Sequence, residues 1–385
     1  MARNSKHKDV VHTGPKTLAG RYLRRFWQPL FCSHDLPVGH ALPVRILGED
    51  FTLYRGKSGA AHLVGFRCAH RGTQMSAGWV EDDCIRCFYH GWKFDALGQC
   101  VEQPAEPQSF ANKIRIPGYP VKEYLGLIFV YLGGGEPPPF TRYPKVESPD
   151  VTVDAVRYDR ICNFYNNIDN SLDNAHVRFV HQRHREARSD FYVQGDPTIT
   201  AEEVDWGVKR YVRYPNGAEV VAYFGMANIN YVNGQVVDPK VKRADVLIFK
   251  VPIDDENHMQ FELRAIPLKG EYGKEFLQNR REKRTKEADD RAELVEAILK
   301  GKLRLEDIDS NRTDYVIIED EIAQAGQGRI ADRGFEHLGR SDAGVILLRQ
   351  LWERELKALA EARPLKEWTY RADMVPVYPI TQETT

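Results

Sequence analysis

The chain has 385 residues, 42% of them hydrophobic, and 54 Lys and Arg against 55 Asp and Glu, for a formal charge of −1. That length suits two or three domains with real cores, and the balanced charge speaks against a basic nucleic-acid groove. Six cysteines without disulfide-like regularity point to a reducing cytoplasm, and no apolar stretch approaches the length of a membrane span. At the amino end, Met1 to Lys16 is polar and is not expected to be a secretory signal. Gln28-Pro29 interrupts the apolar run that Arg24-Arg25 would need to begin an export signal.

Val44 and Ile46, then Phe51 and Leu53, alternate with residues of the opposite face, and Leu127 to Leu132 is a short run of β formers. The first third therefore reads as antiparallel β. Within it stand Cys68-Ala-His70 and Cys87-Phe-Tyr-His90, sixteen residues apart, each followed by a glycine turn. Two thiolates on one iron and two imidazoles on the other make a [2Fe–2S] centre that accepts an electron easily, because it carries less negative charge than an all-cysteine cluster. The competing reading is zinc. A Cys₂His₂ zinc site normally pairs Cys with Cys and His with His, whereas each arm here holds one of each.

The run Gly133 to Pro139 ends the β region, and a linker is expected near residues 133–150. Next comes Asp173-Asn-Ala-His176-Val-Arg-Phe-Val-His181. Two imidazoles and a carboxylate on one face of an iron leave positions open for O₂ and substrate. Five residues of regular α-helix rotate by about 140°, so a π-bulge or a helix end is expected between the two histidines. His184 is a rival to His181. Asp173, three residues before His176 and on the same helical face, can hold an imidazole N–H. A third ligand belongs elsewhere; the acidic run Glu319-Asp320-Glu321, with Asp314, offers candidates, although such a run is commonly a solvated face.

Val246 to Val251 and Gln260 to Ile266 read as strands of a larger sheet. Residues 274–300 read as an exposed helix, with Glu282/Lys286 and Glu287/Arg291 spaced to pair; a lid is the alternative. The last helix is expected to begin near Ser341-Asp342 as N-cap. Its Val345, Leu348, Trp352, Leu356 and Leu359 form one apolar stripe.

The spacing Cys-x-His-x₁₆-Cys-x₂-His, followed about eighty residues later by the second iron motif, resembles the catalytic α subunit of Rieske non-haem iron ring-hydroxylating oxygenases. Gly328, Ile330-Ala331-Asp332-Arg333 and Glu336-His337-Leu338-Gly339 resemble the phthalate-dioxygenase-like branch. The resemblance implies an α+β fold, with an antiparallel β Rieske domain over 1–140 (core about 27–132, the N-terminal segment packing on the catalytic domain) and a helix-covered antiparallel sheet of helix-grip type over 141–385. It puts the cluster on Cys68, His70, Cys87 and His90, mononuclear Fe(II) on His176, His181 and Asp320, and electron relay on Asp173. It also implies a head-to-tail homotrimer, and a reductase or ferredoxin that passes on electrons from NAD(P)H. The activity implied is O₂-dependent hydroxylation of a small aromatic, possibly carboxylated, substrate. O- or N-demethylation uses the same metals, and an electron-transfer Rieske protein is the alternative of another class. Asn166, Asn170 and Val177 are pocket candidates, with Phe224 and Tyr231 more distant ones. Asp169 stands where relatives often carry glutamate.

Overall fold

The structure is a computed structural model, and it describes residues 8–181, 196–235, 244–287 and 289–374. Two short helices, α1 (Lys8–Val11) and α2 (Leu18–Leu23), open the chain. Four strands follow: β1 (Gln28–Cys32), β2 (Ala41–Ile46), β3 (Glu49–Arg55) and β4 (Ala61–Gly65). Seven shorter ones come next: β5 (Trp79–Glu81), β6 (Cys84–Arg86), β7 (Lys93–Phe94), β8 (Cys100–Glu102), β9 (Gly118–Tyr119), β10 (Val121–Tyr124) and β11 (Leu127–Val130). They make three small antiparallel sheets, in the orders β1-β11-β10, β2-β3-β4-β9 and β5-β6-β7-β8. The alternation read at Val44 to Leu53 is the β2–β3 hairpin, which pairs Val44 with Phe51.

The expected linker carries no helix or strand. Beyond it, β12 (Thr152–Arg160) leads into α3 (Phe164–Leu172) and α4 (Ala175–Val180). Six strands then complete a large sheet: β13 (Thr198–Val204), β14 (Gly207–Arg213), β15 (Glu219–Gly225), β16 (Ile229–Gln235), β17 (Ala244–Pro252) and β18 (His258–Ile266). Its order is β12-β18-β17-β16-β15-β14-β13, antiparallel throughout. Four helices end the described chain: α5 (Gly270–Lys286), α6 (Arg291–Leu299), α7 (Tyr315–Ala325) and α8 (Ala343–Ala360).

All nine residues of β18 are buried, yet they alternate in polarity. Met259, Phe261 and Leu263 join Phe249 in an apolar core that reaches β1 and β11, where Phe129 meets Phe249 with ring centroids 5.6 Å apart. His258, Gln260, Glu262 and Arg264 take the opposite face, because successive strand side chains point to opposite sides. That polar face lies under α3 and α7: Asn167 donates to Gln260 at 2.7 Å, and Arg160 reaches Gln324 at 3.2 Å. A second, smaller core encloses Cys68, Cys87, Trp92 and Phe94 and is separate from the first.

The apolar stripe of α8 packs on β13, β14 and α2, with Tyr22 edge-on to Trp352 at 5.3 Å. Asp342 holds the N-cap position without capping; its carboxylate accepts from the Gly339 N–H at 2.6 Å instead. The helix expected over 274–300 is two helices, and neither expected ion pair is found among the described residues. Glu282 accepts from Gln278 at 3.0 Å, Glu287 ends α5 and accepts from the Thr313 N–H, and Arg291 turns inward to Glu321 and Asp314. The break at Glu287 separates residues that an unbroken helix would have stacked.

Candidate metal centres

Cys68 and Cys87 head two loops of like build. Gly72 donates its N–H to the Cys68 carbonyl at 2.9 Å, and Gly91 does the same to Cys87 at 3.1 Å. Both glycines have φ near +70° (74° and 71°), a conformation that costs other residues energy. The second loop is the β6–β7 hairpin tip. The thiols of Cys68 and Cys87 contact one another, and the imidazoles of His70 and His90 lie with centroids 4.5 Å apart. His70 stacks on Trp92 at 4.5 Å and 7°, which fixes its ring plane, and its Nδ1 is buried without a hydrogen-bond partner among the described residues. No three ligand atoms of this quartet fall within 4.8 Å of one another. A single zinc ion would need that proximity, whereas a cluster holding thiolates at one iron and imidazoles at the other does not.

His176, His181 and Asp320 do converge, with one ligand atom from each inside 4.8 Å. Asp320 Oδ1 stands 3.2 Å from His181 Nε2 and 3.7 Å from His176 Nε2, and it makes no hydrogen bond among the described residues. The outer nitrogens face separate carboxylates. His181 Nδ1 donates to Glu319 at 2.8 Å, and His176 Nδ1 lies 3.3 Å from Asp173 Oδ2. Burial opposes the charge on Asp320, but the adjacent His181 and His176 keep its carboxyl down at about 2. His181 is the C-cap of α4, so the expected helix end lies between the two histidines' directions.

Asp173 departs from the expectation of a shared helical face. It is the C-cap of α3, at a break before α4, and its Oδ1 accepts from the Ala175 N–H at 2.8 Å. Burial works against its ionisation, yet the contact with His176 and these N–H groups hold it below the usual carboxylate range. The rival acids are accounted for: Glu319 grips His181, Asp314 meets Arg312 and Arg291, and Glu321 accepts from the Ile161 N–H and faces Arg160. His184 lies outside the described residues. Glu319 as the holder of His181 was not foreseen; its place beside Asp320 was the available signal.

The pocket candidates separate. Asn166 is a strut: it donates to the Gln324 and Gly328 carbonyls and accepts from Ala331. Asn170 is at the site, its Nδ2 3.4 Å from His176 Nε2, and Val177 is half-buried on α4. Phe224 lies in the apolar core, and Tyr231 donates to Asp245 at 2.6 Å. Asp169 receives both Arg333 and Arg349. Another trio, Cys32, His34 and Asp35, also brings three donors together. Burial, with Asp35 beside it, pushes the Cys32 thiol up to about 12.

A family model for the Rieske [2Fe-2S] domain matches residues 26–124. Over 88% of its length the chain is 30% identical to the phenoxybenzoate dioxygenase subunit alpha of Ectopseudomonas oleovorans, covering 82% of that protein. The chain belongs to the Rieske non-haem iron oxygenases, as a terminal oxygenase α subunit. It is 29% identical, over 95% of its length and 83% of the relative, to the 5,5'-dehydrodivanillate O-demethylase oxygenase subunit of a Sphingobium species. The fold matches that of the oxygenase in a solved oxygenase–ferredoxin complex of carbazole 1,9a-dioxygenase, with a TM-score of 0.64 at 19% identity over 89% of this chain and 94% of that one.

The cofactors of a Rieske oxygenase fit the residues present. The orphaned His70 Nδ1 and paired thiols suit the cluster, and the unbonded Asp320 Oδ1 facing two Nε2 atoms suits a 2-His-1-carboxylate iron. No helix of the described residues is long and apolar enough to cross a membrane.

Proposed function

We propose that this terminal oxygenase hydroxylates a small aromatic acid in the cytoplasm, using O₂ and electrons that a reductase or ferredoxin delivers from NAD(P)H. The observation that carries this reading is the convergence of His176 Nε2, His181 Nε2 and Asp320 Oδ1, with Glu319 holding His181 from behind and Asp173 3.3 Å from His176. In this reading those three residues hold the iron, and Cys68, His70, Cys87 and His90 hold the cluster. When bound, a ferrous ion supplies O₂ activation and a Rieske cluster supplies electrons one at a time. Glu319 and Asp173 fix the tautomers and ring directions of His181 and His176 and raise their basicity.

Asp173 also offers a carboxylate that can link His176 to the Rieske histidine of a neighbouring subunit, the relay role. That role calls for a head-to-tail homotrimer, and the exposed Phe88 and Tyr89, 68% and 53% accessible on the cluster loop, suit such a contact. We take residues 1–140 as the cluster domain and 141–385 as the catalytic domain. O-demethylation is the second reading, supported by the similarity to the dehydrodivanillate enzyme along nearly the whole chain.

The test is metal analysis with EPR of the dithionite-reduced protein, purified without oxygen. The reading expects a rhombic Rieske signal and about three irons per chain. Zinc in place of iron, or a Rieske signal with an empty mononuclear site, defeats it.

A further inference from the structure

Ten lysine and arginine side chains are buried among the described residues. Eight have a carboxylate within 4.0 Å, as Arg160 has Glu321 and Arg349 has Asp169. The other two, Arg210 and Lys250, have none among the described residues, although they are only 6% and 2% exposed. A buried charge without a counter-ion costs a protein stability, so its retention calls for a reason.

The two cations share a site. Arg210 is on β14 and Lys250 on β17, and the antiparallel register puts both on the sheet face that α3 covers. Both reach Ser171 of α3: Lys250 Nζ donates to its hydroxyl, and Arg210 Nη1 to its carbonyl at 3.4 Å. Arg210 has a further long bond of 3.4 Å to Asn174, while its Nε is buried without a partner. The preceding residue of α3, Asn170, is the one that touches His176. On the same face Asn230 has a buried side-chain oxygen with no partner among the described residues, and Ile248 supplies apolar surface.

We propose that Lys250 and Arg210 are the specificity-determining residues of the active site, an anion subsite that takes the carboxylate of an aromatic acid and leaves its ring toward His176, His181 and Asp320. This deepens the function proposed above and rests on it. The charge balance supports it. A ferrous ion would be offset by Asp320 and Asp173, and Glu319 behind His181 adds one more negative charge, so the two cations leave a single positive charge for one incoming carboxylate to neutralise. Arginine offers a fork of two N–H donors matched to a carboxylate, and lysine adds a point charge. Burial lowers Lys250 to about 7 and Arg210 to about 10, against the pull of Asp320 on the first and Asp173 on the second.

The experiment is calorimetric titration of the anaerobic, metal-loaded enzyme with benzoate, phenoxyacetate and the amide of each, for wild type, Lys250→Met and Arg210→Met. Wild type should bind at least one acid tenfold or more tighter than its amide. Each variant should lose tenfold or more in affinity for that acid and little for the amide. Lys250→Met should also unfold at the same temperature as wild type or higher, since an uncompensated buried charge is gone; Lys250→Gln serves if the methionine variant does not fold. Equal affinity for acid and amide, no binding of either acid, or variants that bind like wild type would overturn the subsite. The Rieske EPR signal and iron content of the same samples separate the two failures. Intact metals without acid binding sink the subsite alone, and absent metals sink the oxygenase reading beneath it.

Discussion

Glu319 and Asp320 are consecutive acids on α7 that bracket one imidazole, the first at His181 Nδ1 and the second at Nε2. Replacing Glu319 by alanine should weaken mononuclear iron binding by about 10- to 100-fold, as loss of a carboxylate behind a metal histidine does. The Rieske EPR signal should stay unchanged, and equal iron retention in the variant would remove the assigned role. In sequence this acidic run reads as a solvated face, because burial leaves no mark on residue type. The cysteine–histidine arms and the paired histidines were legible, since soft ligands at turn spacing have few other uses. Lys250 and Asn166 were not: one passes for an ordinary strand lysine, the other for a pocket asparagine. His258 is a similar case. It is fully buried, donates from Nδ1 to the Cys162 carbonyl at 2.7 Å and accepts at Nε2 from Asn167 at 2.9 Å. Burial, with Arg160 nearby, pushes it down to about 3. The unfolded chain therefore takes up a proton below about pH 6.5 that the native chain refuses, and stability falls as pH drops from there toward 3, by about 1.4 kcal/mol per unit at most. His258→Gln should flatten the dependence of Tm on pH between 6 and 4, and an unchanged slope would contradict the assignment.

At the scale of elements, the decisive feature is the break between α3 and α4. A continuous helix would carry Asp173 and His176 on one face. Instead the chain turns at Asp173, whose two oxygens do separate work: Oδ1 accepts the Ala175 N–H that opens α4, and Oδ2 meets His176. Asparagine retains an acceptor for the helix end and loses the charge. Asp173→Asn should thus keep both metals and its far-UV circular dichroism while substrate-coupled turnover drops about 100-fold or more. Undiminished turnover would discard the relay. The spacing of three residues suggested continuity because helical periodicity alone does not register a cap. The stripe of α8 and the strands β17 and β18 were readable, since their periods are sustained. The break at Glu287 was hidden by pairs that suit a single helix equally well.

For the molecule as a whole, the glycine–proline run after β11 was a clear boundary in the sequence. A return of the amino-terminal segment onto the later half of the chain was the family expectation, but the residues that make it carry no mark in the sequence. Tyr22 meets Trp352 and accepts from Trp368, and Asn163 donates to the Val11 carbonyl. Such contacts join segments some 150 to 350 residues apart, beyond any local pattern. They make one core of the large sheet, β1, β11 and the amino-terminal helices, and leave the small core around Cys68, Cys87, Trp92 and Phe94 apart from it. A tip with its own core can open without the body. Stripping the cluster with a chelator and oxidant should speed hydrogen exchange across β5 to β8 and leave β17 and β18 protected. Loss of protection throughout would mean that the two cores stand or fall together. If the tip opens alone in that experiment, an oxygenase that has lost its cluster can be refitted in place, because the part that opens for reloading is not the part that keeps the enzyme folded.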